Sequence, residues 1–187
     1  MTKEESSSLV TLCQNGKQQA FAELYEYYLP KIYSFIYYQV KHRETAEDLT
    51  SLTFSKALNK IKHFKHSDSN FSAWLYRIAR NTITDHWRTN KTTYELSMAY
   101  EKNDHNEMEN ILDVKQKLIE VKKHLEKLKP EQKEIIIMRL WQELSYEEIS
   151  LILNKSEASC KMSFSRSLKQ LQQNLTIYLF IFINLIN

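Results

Sequence analysis

Glycine occurs once and proline twice in 187 residues. A chain so short of the residues that make left-handed turns or break helices offers few sharp reversals, which argues against an all-β fold and for helices throughout. Cysteine is nearly as scarce. Cys13 and Cys160 lie far apart with no paired spacing, so neither a disulfide framework nor a zinc finger is suggested, and a reducing, cytoplasmic setting is expected. A strong excess of one charge is missing too: the net charge of +3 and pI near 8.7 are only mildly basic and do not by themselves call for a nucleic-acid partner. The opening MTKEESSSLV carries acids and no long apolar run, unlike a secretory signal. No phosphate loop, no Cys/His pair in a nucleophile context and no paired metal-binding motif occurs, so an enzyme, a cofactor or a metal site is not expected. The nearest approach is His63-Lys65-His66, read as solvent-exposed histidines beside a turn.

What the chain does contain is helical periodicity. Phe21, Leu24, Tyr25, Tyr28, Ile32, Phe35, Ile36 and Val40 recur at spacings that stripe one helical face, with Pro30 expected to kink the helix or start a new one. A second helix is expected from about Glu44 to Ile61, with Ala46, Leu49, Leu52 or Thr53, Ala57 and Ile61 inward and acids in its first turn. The run HSDSN supplies turn and cap residues before a third helix from Phe71 to Thr89. The apolar period then lapses, and Glu95, Glu101, Asp104, Glu107 and Glu109 outnumber Lys91 and Lys102, as in a polar acidic linker. Periodicity resumes from Ile111 to Leu128, Pro130 opens another helix reaching about Gln142, and Ser145-Tyr146-Glu147-Glu148 reads as a capping box. Asn154 suits a left-handed turn and Ser156 a cap, so the last two helices read as a helix-turn-helix ending near Leu175. Thr176 to Ile186 is almost wholly apolar but about half the ~20 residues needed to span a bilayer; it is expected to pack on the adjacent domain, with docking to a membrane or partner left open. The expected architecture is therefore all-α, with two small helical domains joined by a flexible acidic linker. The boundaries are a helical domain over 1–90, the linker over 91–110, a helix-turn-helix domain over 111–175 and an apolar tail over 176–187.

Two helices carry chemistry. On the third, Phe71, Trp74, Leu75, Ile78 and Thr82 fall inward, while Arg77, Asn81, Thr84 and Arg88 form another stripe flanked by Arg80 and Trp87. Cations to track phosphates, an indole to stack on an unpaired base and an amide to read a base edge suit single-stranded DNA. On the last helix, Cys160, Phe164, Leu168, Leu171 and Leu175 point inward. That leaves Ser159, Met162, Ser163, Arg166 and Lys169 outward with Lys161 at the margin, positions from which side chains can enter a major groove.

In order and spacing these segments resemble the extracytoplasmic-function (ECF) sigma factors of the sigma-70 family, from about Phe21 to Leu175. Ala46-Glu47-Asp48-Leu49-Thr50 with Phe54 and Lys56 resembles the family helix that docks on core RNA polymerase. Trp74-Leu75-Tyr76-Arg77-Ile78-Ala79-Arg80-Asn81, with Asp85 and Arg88, resembles the signature that melts and reads the minus-ten promoter element. Leu128-Lys129-Pro130-Glu131-Gln132 with Leu144-Ser145-Tyr146-Glu147-Glu148-Ile149 resembles the domain that binds the minus-thirty-five element. The resemblance implies a non-enzymatic sigma factor that directs promoter recognition, melting and initiation. Its polymerase contacts would be Asp48, Leu49, Thr50, Phe54 and Lys56; its minus-ten contacts Arg77, Arg80, Asn81, Thr84, Trp87 and Arg88; and its minus-thirty-five contacts Ser156, Ser159, Lys161, Met162, Ser163, Arg166 and Lys169. Bacterial core polymerase and promoter DNA are the implied partners, with an anti-sigma protein as a further one. The recognition helix departs from the family's usual residues in holding Ala158, Ser159, Cys160, Lys161, Met162 and Ser163. The alternative is a stand-alone helix-turn-helix regulator that binds duplex operators without polymerase; it leaves the basic, aromatic third helix unexplained.

Overall fold

The computed structural model describes residues 1–65, 70–89, Leu125 and 128–174, with backbone only for 172–174. The linker over 91–110, nearly all of the helix expected from Ile111 to Leu128, and the apolar tail lie outside the described residues. Among the described residues every regular element is helical.

Helix α1 (Lys3–Gln14) begins at a capping box that the periodicity did not reveal: the Glu5 N–H donates to Thr2 Oγ1 at 3.1 Å and the Thr2 N–H to Glu5 Oε2 at 2.8 Å. It buries Ser6, Val10 and Cys13, and the single glycine, Gly16 at φ +86°, turns the chain after it. Helix α2 (Gln18–Val40) passes through Pro30 as one element, so no new helix starts there. A proline inside a helix costs about 3 kcal/mol, and burial of several large side chains at roughly 1.5–3 kcal/mol each outweighs that cost. Leu24 and Tyr28 before Pro30 and Ile32, Phe35 and Ile36 after it all enter the same core. Lys41, left-handed at φ 58°, closes α2.

Helix α3 (Arg43–Lys60) is capped by His42, whose Nδ1 accepts from the Thr45 N–H, and runs into a 3-10 turn, Ile61–His63. Thr53 rather than Leu52 faces inward, and Thr50 is buried with it. Their hydroxyls donate back to the carbonyls of Ala46 and Leu49 at 2.6 and 2.7 Å, which lets a polar residue occupy the core face. Helix α4 (Phe71–Thr89) has the expected bounds, with Asn70 Oδ1 accepting from the Ala73 N–H at 2.7 Å.

Among the described residues the first full helix of the second module is α5 (Pro130–Ile136), Pro130 standing at its start. The single helix expected to Gln142 instead widens into a π-helical stretch, Ile137–Trp141, which ends at left-handed Glu143. Four successive residues, Ile135 to Met138, are fully buried, which one amphipathic stripe does not allow. Ile136 joins a small cluster with Leu125, Leu128 and Leu171, whereas Ile135, Ile137 and Met138 join the main core. Helix α6 (Tyr146–Leu153) starts at the expected capping box: the Glu148 N–H donates to Ser145 Oγ at 3.1 Å and the Ser145 N–H to Glu148 Oε2 at 2.9 Å. Asn154, left-handed at φ 54°, turns the chain into α7 (Glu157–Asn174), where Ser156 caps the Ser159 N–H.

The main core is shared. Ile135, Ile137, Met138, Leu144, Ile149, Ile152, Leu153 and Cys160 pack in one cluster with the buried faces of α1 to α4. The second module therefore rests on α4 and α2.

Replacing Ser145 by Ala removes one reciprocal cap and should lower unfolding stability by about 1 kcal/mol, against a few tenths for Gly at the same place. Urea denaturation of the two variants checks this, with equal losses for both pointing away from the cap.

Candidate nucleic-acid and polymerase interface

Three stripes share α4. Phe71, Leu75, Ile78 and Thr82 are buried as expected, with Trp74 half-buried. Ala73, Tyr76, Ala79 and Ile83 are buried as well, a face the sequence pattern did not reveal. The third stripe is the one singled out for DNA: Asn81, Thr84 and Arg88 are exposed in line with half-buried Arg77, and Arg80 and Trp87 flank it half-buried. One small network tunes this surface. Arg88 Nη2 donates to Asp85 Oδ1 at 3.1 Å, and Lys56 Nζ lies 3.2 Å from Thr82 Oγ1 and 3.8 Å from Asp85 Oδ2. Asp85 thus partly neutralises two cations beside Asn81 and Thr84.

Of the five residues named for polymerase on α3, Asp48 alone is fully exposed. Leu49, Thr50 and Phe54 are buried, Phe54 against Tyr25 with ring centroids 4.7 Å apart, so they shape the helix from beneath. Lys56 leans across to α4. What the pattern missed is the apolar part of the exposed face: Leu52 and Leu58 are 44% and 49% accessible. The available signal was two leucines more than the inward stripe, which takes Leu49, could hold.

The helix-turn-helix presents Ser156, Ser159, Lys161, Met162, Arg166 and Lys169 to solvent and holds Ser163 half-buried. Cys160 and Leu171 point inward as expected, Phe164 and Leu168 are half-buried, and Ser167 is wholly buried with its hydroxyl returned to the Ser163 carbonyl at 2.8 Å. Leu175 lies outside the described residues. Tyr146, at the start of α6, receives Arg139 and Lys161 at 5.1 and 5.6 Å from its ring centroid, so part of the charge of Lys161 is held by an aromatic face. Lys155 is paired with Glu131 at the turn.

Polar groups tie the two modules together. The Tyr76 hydroxyl donates to Gln142 Oε1 at 2.8 Å and Gln142 Nε2 to Ser34 Oγ at 3.3 Å. Asn70 Nδ2 donates to Glu148 Oε1 at 3.3 Å, Lys3 meets Glu147 at 3.4 Å, and Tyr38 lies against Trp141. Arg80 Nε donates to Glu134 Oε1 at 2.8 Å, with Glu134 almost fully buried. Burial raises the Glu134 carboxyl above the usual carboxylate range, and the neighbouring Arg80 guanidinium only partly offsets this. Burial likewise holds the Tyr76 phenol neutral far above its ordinary range and pushes Tyr28 up to about 12. It also raises both thiols, Cys13 and Cys160, which favours the unreactive protonated form. Glu134 was missed because its partner lies in another helix, beyond the reach of any periodic pattern.

Among the described residues no group of three or more His, Cys, Asp or Glu side chains could hold a metal, and no helix is long and apolar enough to cross a membrane. His63 is exposed, and His66 lies outside the described residues.

Comparison with known proteins agrees with this geometry. Residues 24–93 match the family model for Sigma-70 region 2 and residues 118–171 that for Sigma-70 region 4, in the order expected. The chain is 34% identical over 169 residues to the ECF RNA polymerase sigma factor BldN of Streptomyces coelicolor, covering 87% of this chain and 63% of BldN. It is 32% identical over 165 residues to the RNA polymerase sigma factor YlaC of Bacillus subtilis, covering 85% of this chain and 94% of YlaC. The solved sigma factor RpoE of Bartonella quintana, in complex with the anti-sigma factor NepR, superposes with a TM-score of 0.68 at 28% identity, covering 84% of this chain and 98% of that one. The first match takes in all of α4 and the second the helix-turn-helix as far as Leu171, a pairing that a stand-alone regulator leaves unexplained. The chain belongs to the ECF sigma factors of the sigma-70 family of RNA polymerase sigma factors.

Proposed function

We propose that this sigma factor divides its work between three helix faces, acting by binding rather than catalysis, in the cytoplasm where polymerase operates. The exposed face of α3, with Asp48, Leu52 and Leu58, holds core RNA polymerase. The outward stripe of α4, with Arg77, Asn81, Thr84 and Arg88 and with Arg80 and Trp87 beside it, captures the unpaired minus-ten strand. Helix α7 anchors the minus-thirty-five duplex through Ser156, Ser159, Lys161, Met162, Ser163, Arg166 and Lys169. The domain boundaries follow: 1–90 for polymerase and the minus-ten element, 111–175 for the minus-thirty-five element, and between them the acidic segment 91–110, whose charge suits the path of a nascent transcript. The observation that carries this reading is the alignment of Asn81, Thr84 and Arg88 on one exposed face of α4 inside the region 2 match.

The chemistry is that of strand capture. Melting a promoter costs stacking energy, which is recovered when an unpaired base stacks on an indole and its phosphates meet guanidinium groups; stacking alone contributes roughly 1–3 kcal/mol per base. Binding to the strand thereby shifts the duplex toward the open form. An anti-sigma protein is proposed as a further partner because the Bartonella quintana sigma factor is bound by one.

Run-off transcription with bacterial core polymerase and the full chain on fragmented genomic DNA should yield new start sites that share an upstream motif; no new starts, with no binding to core, would remove the sigma reading. Within that assay, Asn81→Ala and Arg88→Ala should each lower open-complex formation about tenfold while core binding stays unchanged, as loss of one good base or phosphate contact implies. Leu58→Asp should instead weaken core binding itself, read by co-elution with polymerase.

Asp85→Ala supplies a test of opposite sign. Its ion pairs are half-exposed and contribute little, so stability should change by less than about 0.5 kcal/mol. Freed of that carboxylate, Lys56 and Arg88 should tighten binding of single-stranded DNA and steepen its salt dependence, which anisotropy titrations at several salt concentrations would read.

A further inference from the structure

Helix α7 ends at Asn174, and the sequence beyond it, residues 176–186, reads TIYLFIFINLI without a single charge. Leu171, one turn before that end, is buried in the small cluster with Leu125, Leu128 and Ile136, and Trp141 lies on the rim of the same cluster. From Trp141 a row of rings leads along α2. Trp141 stands 5.5 Å from Tyr38 between centroids, Tyr38 stands 6.4 Å from Tyr37, and Tyr37 stacks on Tyr33 at 5.9 Å. Tyr37 is 38% exposed and the other three are half-buried, so the row meets solvent along its outer edge. Apolar residues scattered singly over a surface need no explanation, whereas a contiguous ridge of four large rings marks a contact. We propose that this ridge is the docking surface of the chain's own tail: residues 176–186 lie over Trp141, Tyr38 and Tyr37 toward Tyr33.

Placement, length and chemistry all select this occupant. The tail leaves α7 beside the cluster that Trp141 borders, so it starts at one end of the ridge. Eleven residues reach about 16 Å as a helix and up to about 36 Å when extended, enough to follow most of the row in the first form and all of it in the second. Tyrosine rings offer apolar faces while their hydroxyls stay in water at the rim, which suits a cover of isoleucine, leucine and phenylalanine. A lipid surface fits less well. The tail is about half the length of a bilayer span, and residues 170–187 contain no lysine or arginine to meet anionic headgroups.

The test uses the full chain without polymerase, with the photo-crosslinking aromatic p-benzoylphenylalanine in place of Tyr37. Irradiation should give a monomer-sized product in which position 37 is joined to a peptide from 170–187, read by mass spectrometry. A dimer-sized product carrying that link would assign the ridge to the tail of a second copy, and absence of the link would leave the tail elsewhere; either overturns the proposal. Phe180→Asp with Phe182→Asp should lower the yield of the link about tenfold, and an unchanged yield also overturns it. Chymotrypsin cleavage within the tail reads the same equilibrium without a crosslinker. Tyr37→Lys should speed it about tenfold, equivalent to roughly 1.4 kcal/mol, whereas Leu58→Lys, at the far end of α3, should alter it less than twofold. Equal acceleration by both variants counts against the ridge. Circular dichroism identifies a variant that fails to fold, and the crosslink in the otherwise unaltered chain then decides. Flotation with vesicles of phosphatidylcholine and phosphatidylglycerol should leave the chain unbound; binding that vanishes when 176–187 is removed assigns the tail to lipid and overturns the proposal.

Discussion

Helix α4 has to satisfy neighbours in three directions, and the rest of the molecule is arranged around that demand. Phe71 meets Tyr28 of α2, Thr82 meets Lys56 of α3, and Leu75 and Ile78 are buried in the main core; Tyr76 and Arg80 reach the second module; Asn81, Thr84 and Arg88 remain in solvent. A helix that merely covered a core would leave about two thirds of its circumference polar. Here only a narrow strip is free, so the polar residues on it sit in fixed register on a rigid support, which suits the proposed capture of a single strand.

Tyr76 shows why the second module cannot dock in just any orientation. Its ring is wholly buried against Phe35, with centroids 5.1 Å apart, and burial keeps the phenol protonated, so the hydroxyl must find an acceptor. Gln142 supplies it and passes its own amide hydrogen to Ser34, linking α4, the end of the π-helical stretch and α2 in one chain of hydrogen bonds. The apolar contacts of Ile135, Met138 and Ile149 are non-directional and provide the attraction. The polar chain selects one register among many that would bury similar area.

Much of this was legible in the sequence because local chemistry fixed it. Asn70, Ser145, Asn154 and Ser156 act where their side chains say they should, and the stripes of α2 and α4 follow from spacing alone. What was missed has a non-local cause. The π-helical stretch answers to burial on two sides, which Ile135 to Met138 announce only once both neighbours are known. With glycine nearly absent, left-handed turns fall to Lys41 and Glu143, residues with no propensity to mark them, whereas Asn154 carries such a mark. The T-x-x-E box of α1 was present at Thr2 and Glu5 and could have been read. Phe54 and Leu49 match the family's polymerase helix as letters, but the helix turns them inward and leaves Leu52 and Leu58 on the surface.

The two proposed DNA surfaces differ in the kind of information they can carry. Of the residues proposed for the duplex on α7 and at its cap, the exposed ones are two lysines, one arginine, two serines and a methionine, and Lys161 shares its charge with the Tyr146 ring. Lysines meet phosphates as point charges, and no exposed asparagine or glutamine of the proposed set can fork onto an adenine there. On α4 an amide, a hydroxyl, an indole and guanidinium groups lie within four helical turns, a set able to stack on and hydrogen-bond an unpaired base. Anchoring by α7 should therefore be dominated by counterion release and sensitive to salt, with Arg166 as its principal reader of guanine. On this proposal, discrimination between promoters falls mainly to α4, whose free stripe of Asn81, Thr84 and Arg88 lies beside the face that receives the second module.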